Sequence, residues 1–172
     1  MTFDEAKDVV IAFVRENMAL AEPAVFFMGF AEGIPGLSLL VPSTPLFLGI
    51  GSAHAAAGGQ FWRLWLAASA GAIISDVVVY ALGRIFKTEA PKIWPFSRHA
   101  DWLARGHVLF ERWGVLAVAG GKFTGFLRPF IPAIAGMLEM PIWKFIPASV
   151  ISSFAWAGAF LAPGYGIKLL FS

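Results

Sequence analysis

Three stretches of this chain are almost without charge: Gly33 to Trp62 has no Asp, Glu, Lys or Arg, Leu64 to Gly83 has only Asp76, and Phe145 to Ile167 again has none. A helix needs about 20 apolar residues to cross a hydrocarbon core about 30 Å thick, so runs of this length commit the chain to a bilayer. Composition agrees, because 58% hydrophobic against 14% charged residues leaves too little polar surface to cover a soluble domain of 172 residues. Lipid does not hydrogen-bond the backbone, and the expected class is therefore an all-α integral membrane protein. The formal net charge of +2 and the lack of a basic, aromatic-interleaved tract exclude nucleic acid as a partner. With no cysteine the chain has neither disulfides, nor thiolate zinc sites, nor a thiol nucleophile. The acidic start Met1-Thr-Phe-Asp-Glu5 is unlike a secretory leader, and no targeting peptide is expected.

Taken in order, Thr2 to Glu5 is a capping box that opens an amphipathic helix over 1–20, lying on the membrane surface or docked on the rest of the protein. Residues 24–59 are apolar but punctuated by Glu32-Gly-Ile-Pro-Gly36 and by Pro42-Ser-Thr-Pro45. A residue before proline is pushed out of the helical region, so Val41 and Thr44 are expected to interrupt the segment. Two arms of about 10 residues would each reach about 15 Å, which suits a re-entrant hairpin better than two crossings. Residues 61–86 read as a full crossing, with Asp76, Tyr80 and Gly83 on one face. Residues 87–112 form a polar connection carrying a second interfacial amphipathic helix. Residues 113–141 repeat the broken apolar pattern, and 142–168 make a second crossing.

The two halves share a spacing: Pro42-x-x-Pro45 then Gly49, and Pro129-x-x-Pro132 then Gly136. A single crossing between two hairpins makes them enter from opposite faces. The expected architecture is therefore two re-entrant broken-helix hairpins in an inverted repeat, each followed by a transmembrane helix, broken at Pro42, Pro45, Pro129, Pro132 and Gly136. The second broken segment also holds Lys122 and Arg128. A cation near the bilayer midplane costs about 2.5 to 3.5 kcal/mol, so each needs a partner, a wet cavity or an anionic ligand.

Glu32 in the first broken segment, Ser75-Asp76 with Tyr80, Gly83 and Arg84, Gly121-Lys122-Phe123 leading to Arg128, Pro132 and Gly136, then Phe145, Trp156 and Gly164-Tyr165-Gly166, together resemble the DedA (SNARE-associated Golgi, or VTT-domain) family over about residues 24–168. The resemblance implies a polytopic lipid transporter or scramblase with two facing hairpins. It also implies passage of polyprenyl phosphate or phospholipid, dependence of some members on the proton gradient, and a bacterial inner-membrane location. Glu32 matches the family's first hairpin acid, Asp76 its Gly-Asp position and Arg128 its second hairpin arginine. Thr44 stands where the family has a second acid, and Lys122 where it has an arginine. With that acid missing, coupling to protons is expected to be weak.

A guanidinium and an ammonium in a shared cavity can hold a phosphate, the guanidinium bidentately, while Glu32 competes for them when the site is empty. Arg128, Lys122, Glu32 and Thr44 are therefore the expected substrate-binding set. Asp76 and Tyr80 serve either as a proton relay or in helix packing, with Asp76 bonded to Tyr80 or a nearby serine. His54 reads as an interfacial histidine and Trp156 as core. The expected partner is a membrane lipid with an anionic headgroup, with no cofactor and no metal. A lipid phosphatase is the rival enzyme reading, but it needs a histidine nucleophile, and no histidine follows His107. A non-transporting membrane scaffold would leave the buried charges without purpose.

Overall fold

The computed structural model describes residues 16–40, 43–87, 89, 104–105, 108, 110, 112–124 and 128–171, and the side chains of 39–40, 43–45 and 167–171 lie outside that description. Every element in it is helical: α1 (Met18–Glu32), α2 (Leu37–Leu40), α3 (Ser43–Ala56), α4 (Phe61–Ile85), α5 (Val115–Gly121), α6 (Phe130–Met137) and α7 (Ile142–Phe171). Two stretches, Phe61–Ile85 and Ile142–Gly166, are long and apolar enough to cross a membrane. The helix expected over 1–20 and most of the 87–112 connection lie outside the described residues.

Among the described residues the breaks coincide with only some of the prolines. The first lies at Gly33 to Gly36, where Gly36 takes a left-handed φ of 97°. Thr44 does not interrupt a helix. It and Pro45 stand in the first turn of α3, where proline's missing N–H has no helical acceptor to lose. Pro42 lies outside the described residues. Pro23 sits inside α1 without ending it, so no boundary separates 1–20 from 24–59 at that point. The arms α1 and α3 have 15 and 14 residues, giving about 22 and 21 Å each rather than about 15 Å.

In the second segment Pro129 immediately precedes α6, and Pro132 lies in its first turn. The break itself runs from Lys122 to Pro129, with 125–127 outside the described residues. Gly136 is not a break either. It is helical, and a methyl group there would overlap the Tyr80 carbonyl of α4, so it is needed for close approach.

Close approach of backbones is how the helices associate, since lipid tails supply no hydrophobic drive between them. Gly29 of α1 and Gly71 of α4 each lie against a carbonyl of the other helix, as do Gly83 of α4 and Ala133's helix α6. Gly164 of α7 lies against the Leu48 carbonyl of α3. The result is an exchange: α3 packs on α7, the long helix of the second half, while α6 packs on α4, the long helix of the first. Helices α4 and α7 also pack on each other.

Two tyrosines tie down the ends of α3 and α6. Tyr80 donates to the Met140 carbonyl at 2.5 Å and accepts from Nη1 of Arg84 at 2.9 Å, so it does not bond Asp76. Tyr165 and Nδ1 of His54 are 2.5 Å apart. His54 is therefore not a lone histidine. It is buried beneath Gly59, where a side chain would strike the imidazole.

Candidate functional site

Each intramembrane cation is buried beside one carboxylate. Lys122 follows α5 at the edge of the break, and its Nζ lies 2.5 Å from Oδ2 of Asp76 on α4. Ser149 of α7 donates to the same Oδ2 at 2.6 Å, and Lys122 donates to Ser153, one turn further along α7. Ser153 in turn donates to the Ser149 carbonyl at 2.7 Å. Asp76 is thus held by a cation and a hydroxyl, and three helical segments meet at a polar knot whose hydrogen bonds are made. Breaking such a knot leaves a bare buried charge, which costs far more than the knot contributes.

Arg128 precedes α6 and is 3% exposed. Its Nη1 is ion-paired with Oε1 of Glu32, the last residue of α1, whose side chain is 14% exposed. The guanidinium carbon stands 3.8 Å from the ring centroid of Trp156, on α7, so one face of the cation is covered. The indole also meets Phe47 of α3, edge to face at 5.2 Å between centroids. This second pair is unfinished. Oε2 of Glu32 and all three guanidinium nitrogens of Arg128 are buried without a hydrogen-bond partner; Nη1 meets Glu32 as a charge contact alone, and Nε and Nη2 meet nothing. A buried polar atom left unpaired costs about 1 to 3 kcal/mol, and here a carboxylate oxygen and guanidinium donors are left so side by side.

Of the expected binding set, the structure brings Glu32 and Arg128 together and places Lys122 on Asp76 instead of on Glu32. Glu32 and Arg128 nevertheless remain within electrostatic reach of Lys122. Thr44 lies in the first turn of α3 with its side chain outside the description. Tyr80 is engaged elsewhere, and Asp76 takes its hydroxyl bond from Ser149. Three contributors were not singled out in the sequence: Ser149, Ser153 and the cation-binding role of Trp156. Hydroxyls at helical spacing, 149 and 153, inside an otherwise uncharged run were a usable signal. Among the described residues no group of three or more His, Asp or Glu could hold a metal ion.

The VTT domain, as a family, matches residues 41–166, well over half of the chain. The chain belongs to the VTT-domain (DedA) family. It is accordingly a membrane protein. Among similar proteins of Escherichia coli strain K12, inner membrane protein YabI is 28% identical over 153 residues, 88% of this chain and 60% of YabI. Inner membrane protein YohD is 32% identical over 137 residues, 80% of this chain and 69% of YohD. Inner membrane protein YghB is 26% identical over 175 residues, 95% of this chain and 80% of YghB. The chain spans about three fifths of the length of YabI and of two Buchnera aphidicola membrane proteins that it matches. No solved structure matches it. The VTT match takes in Asp76, Lys122, Arg128 and Trp156, whereas Glu32 lies ahead of it.

Proposed function

We propose that this VTT-domain protein is a lipid translocase of the bacterial inner membrane, moving a phosphate-bearing lipid such as a phospholipid or a polyprenyl phosphate. The observation that carries this reading is the unfinished pair. Arg128 is buried, charged and capped on one face by Trp156, and it keeps two guanidinium nitrogens without partners. A phosphate oxygen is the group such donors match best, edge-on and bidentate. Glu32 holds the cation when no ligand is present, and its carboxylate leaves when a phosphate arrives. The exchanged packing of α3 on α7 and α6 on α4 supports two facing re-entrant segments related as an inverted repeat, with the charged breaks at their meeting point. Asp76 and Lys122 act in this reading as the fixed joint.

The protein is not proposed to be an enzyme, and the test separates the two. Purified protein is reconstituted into vesicles with acyl-labelled anionic phospholipid, and both leaflet exchange and phosphate release are measured. Exchange that depends on the protein, without phosphate release, supports the reading; phosphate release without exchange replaces it with hydrolysis.

A further inference from the structure

The partnerless atoms lie on both members of the pair, and they are of opposite kinds. Arg128 offers donors at Nε and Nη2, while Glu32 offers an acceptor at Oε2. A ligand that finishes the site carries an acceptor and a donor a few bonds apart. Resting on the translocase reading, we propose that the preferred substrate is a phosphodiester lipid whose headgroup bears a hydrogen-bond donor, an ethanolamine-type headgroup above all. Its phosphate sits edge-on against Arg128, and its ammonium N–H reaches Glu32.

Charge counting selects the same ligand. The four buried groups, Glu32, Arg128, Asp76 and Lys122, sum to zero, and Lys122 is committed to Asp76 and Ser153. Only one cation is left to answer a ligand. A zwitterionic phosphodiester enters without changing the total, with its phosphate on the cation and its ammonium on the carboxylate. A phosphate monoester carries about −1.5 to −2 near pH 7 and brings more charge than Arg128 alone among these four groups can meet. A choline headgroup has the right charge, but its quaternary nitrogen has no N–H for Oε2. A glycerol headgroup supplies the donor as hydroxyl, and leaves one net negative charge. The order of preference is therefore ethanolamine, then glycerol, then choline and monoester.

The test uses the full chain in vesicles containing trace lipids labelled on the acyl chain, so that each headgroup is intact. Ethanolamine lipid is expected to exchange about tenfold faster than choline lipid, the size of effect that one charge-assisted hydrogen bond carries. A monoester lipid is expected to fall further behind as pH is raised from 6 to 8 and its second proton is lost. Glu32→Gln removes the carboxylate's charge and is expected to shrink the ethanolamine-over-choline ratio. Water-soluble glycerophosphoethanolamine is included to distinguish a lipid from a free phosphodiester; slowing of lipid exchange without its own uptake supports the lipid. Equal rates for choline and ethanolamine, a monoester preferred at pH 8, or a ratio unchanged in Glu32→Gln would each overturn the headgroup assignment while leaving translocation intact. Uptake of glycerophosphoethanolamine into the vesicles would overturn the lipid. Exchange of no phosphate lipid at all would instead remove the translocase reading on which the assignment rests. Should Glu32→Gln fail to fold, Glu32→Asp, which withdraws the acceptor by one methylene, is read by the same ratio.

Discussion

Lys122 and Arg128 stand six residues apart, each buried with a single carboxylate, yet one pair is complete and the other is not. Around Lys122 the acid, the ammonium and two serine hydroxyls use one another's hydrogen bonds. Around Arg128 the indole of Trp156 covers a face of the cation but accepts no N–H, and polar atoms of both partners stay unpaired. A buried charge that is fully bonded has nothing left to offer a ligand, whereas one held by a single acid and a ring can change partner at small cost. Burial of a cation in an apolar segment therefore does not by itself mark a binding site; the count of unmet donors and acceptors does.

The largest expected effect is at the incomplete pair. Arg128→Ala is expected to insert and purify but to lose transport by about 100-fold or more in reconstituted vesicles, since it removes the buried cation whose donors are unmet. Normal transport in that variant would erase the distinction between the pairs. Asp76→Asn comes next and acts on stability: leaving Lys122 buried without its acid is expected to cost about 3 kcal/mol in thermal unfolding, and adding Lys122→Met should recover most of it. If Asp76→Asn instead stops transport with stability unchanged, the complete pair is also a working site. Trp156→Leu removes the ring from Arg128 and is expected to weaken lipid exchange by about 1 kcal/mol of apparent affinity, read as a raised half-saturating lipid fraction.

The smallest effect belongs to an exposed pair used as a reference. Lys87 and Glu139 are 2.6 Å apart at the α4 end of the molecule, and Lys87's hydrogen bond and charge hold the Glu139 carboxyl below its usual range. A lowered folded-state value means that the pair's contribution is present above the unfolded carboxylate value and is lost as pH falls through the folded one. The melting-temperature difference between the native protein and Glu139→Gln should thus be small at neutral pH, vanish in acid and shrink in high salt. A difference as large as that for Asp76→Asn would mean that burial is not what separates these pairs.

Much of the architecture could be read from the chain because it depends on runs. The uncharged stretch around Asp76 and that after Phe145 give α4 and α7 directly, as helix length and apolarity are properties of consecutive residues. The breaks are legible in kind and, at Pro129, in position, whereas Pro45 and Pro132 stand in first helical turns, where proline is as much at home as outside a helix. Which acid meets which cation was not legible. Asp76 and Lys122 are far apart in the chain, and their meeting depends on how α4, α5 and α7 cross. Gly136 shows the same limit from another side: its spacing suggested a break, while its use is to let α6 touch the Tyr80 carbonyl.

Trp156 also gives the protein an optical property. Of the seven tryptophans, Trp62, Trp113 and Trp143 are more than half exposed, while Trp156 is 1% exposed and lies directly under a guanidinium. An indole's emission energy shifts with the field of a charge over its ring. Departure of Arg128 toward a headgroup, or the arrival of an anion beside it, therefore changes the colour of one interior tryptophan. In a protein whose other six tryptophans, Trp62, Trp65, Trp94, Trp102, Trp113 and Trp143, are changed to Phe, occupancy of the site can be followed by light, without a labelled lipid.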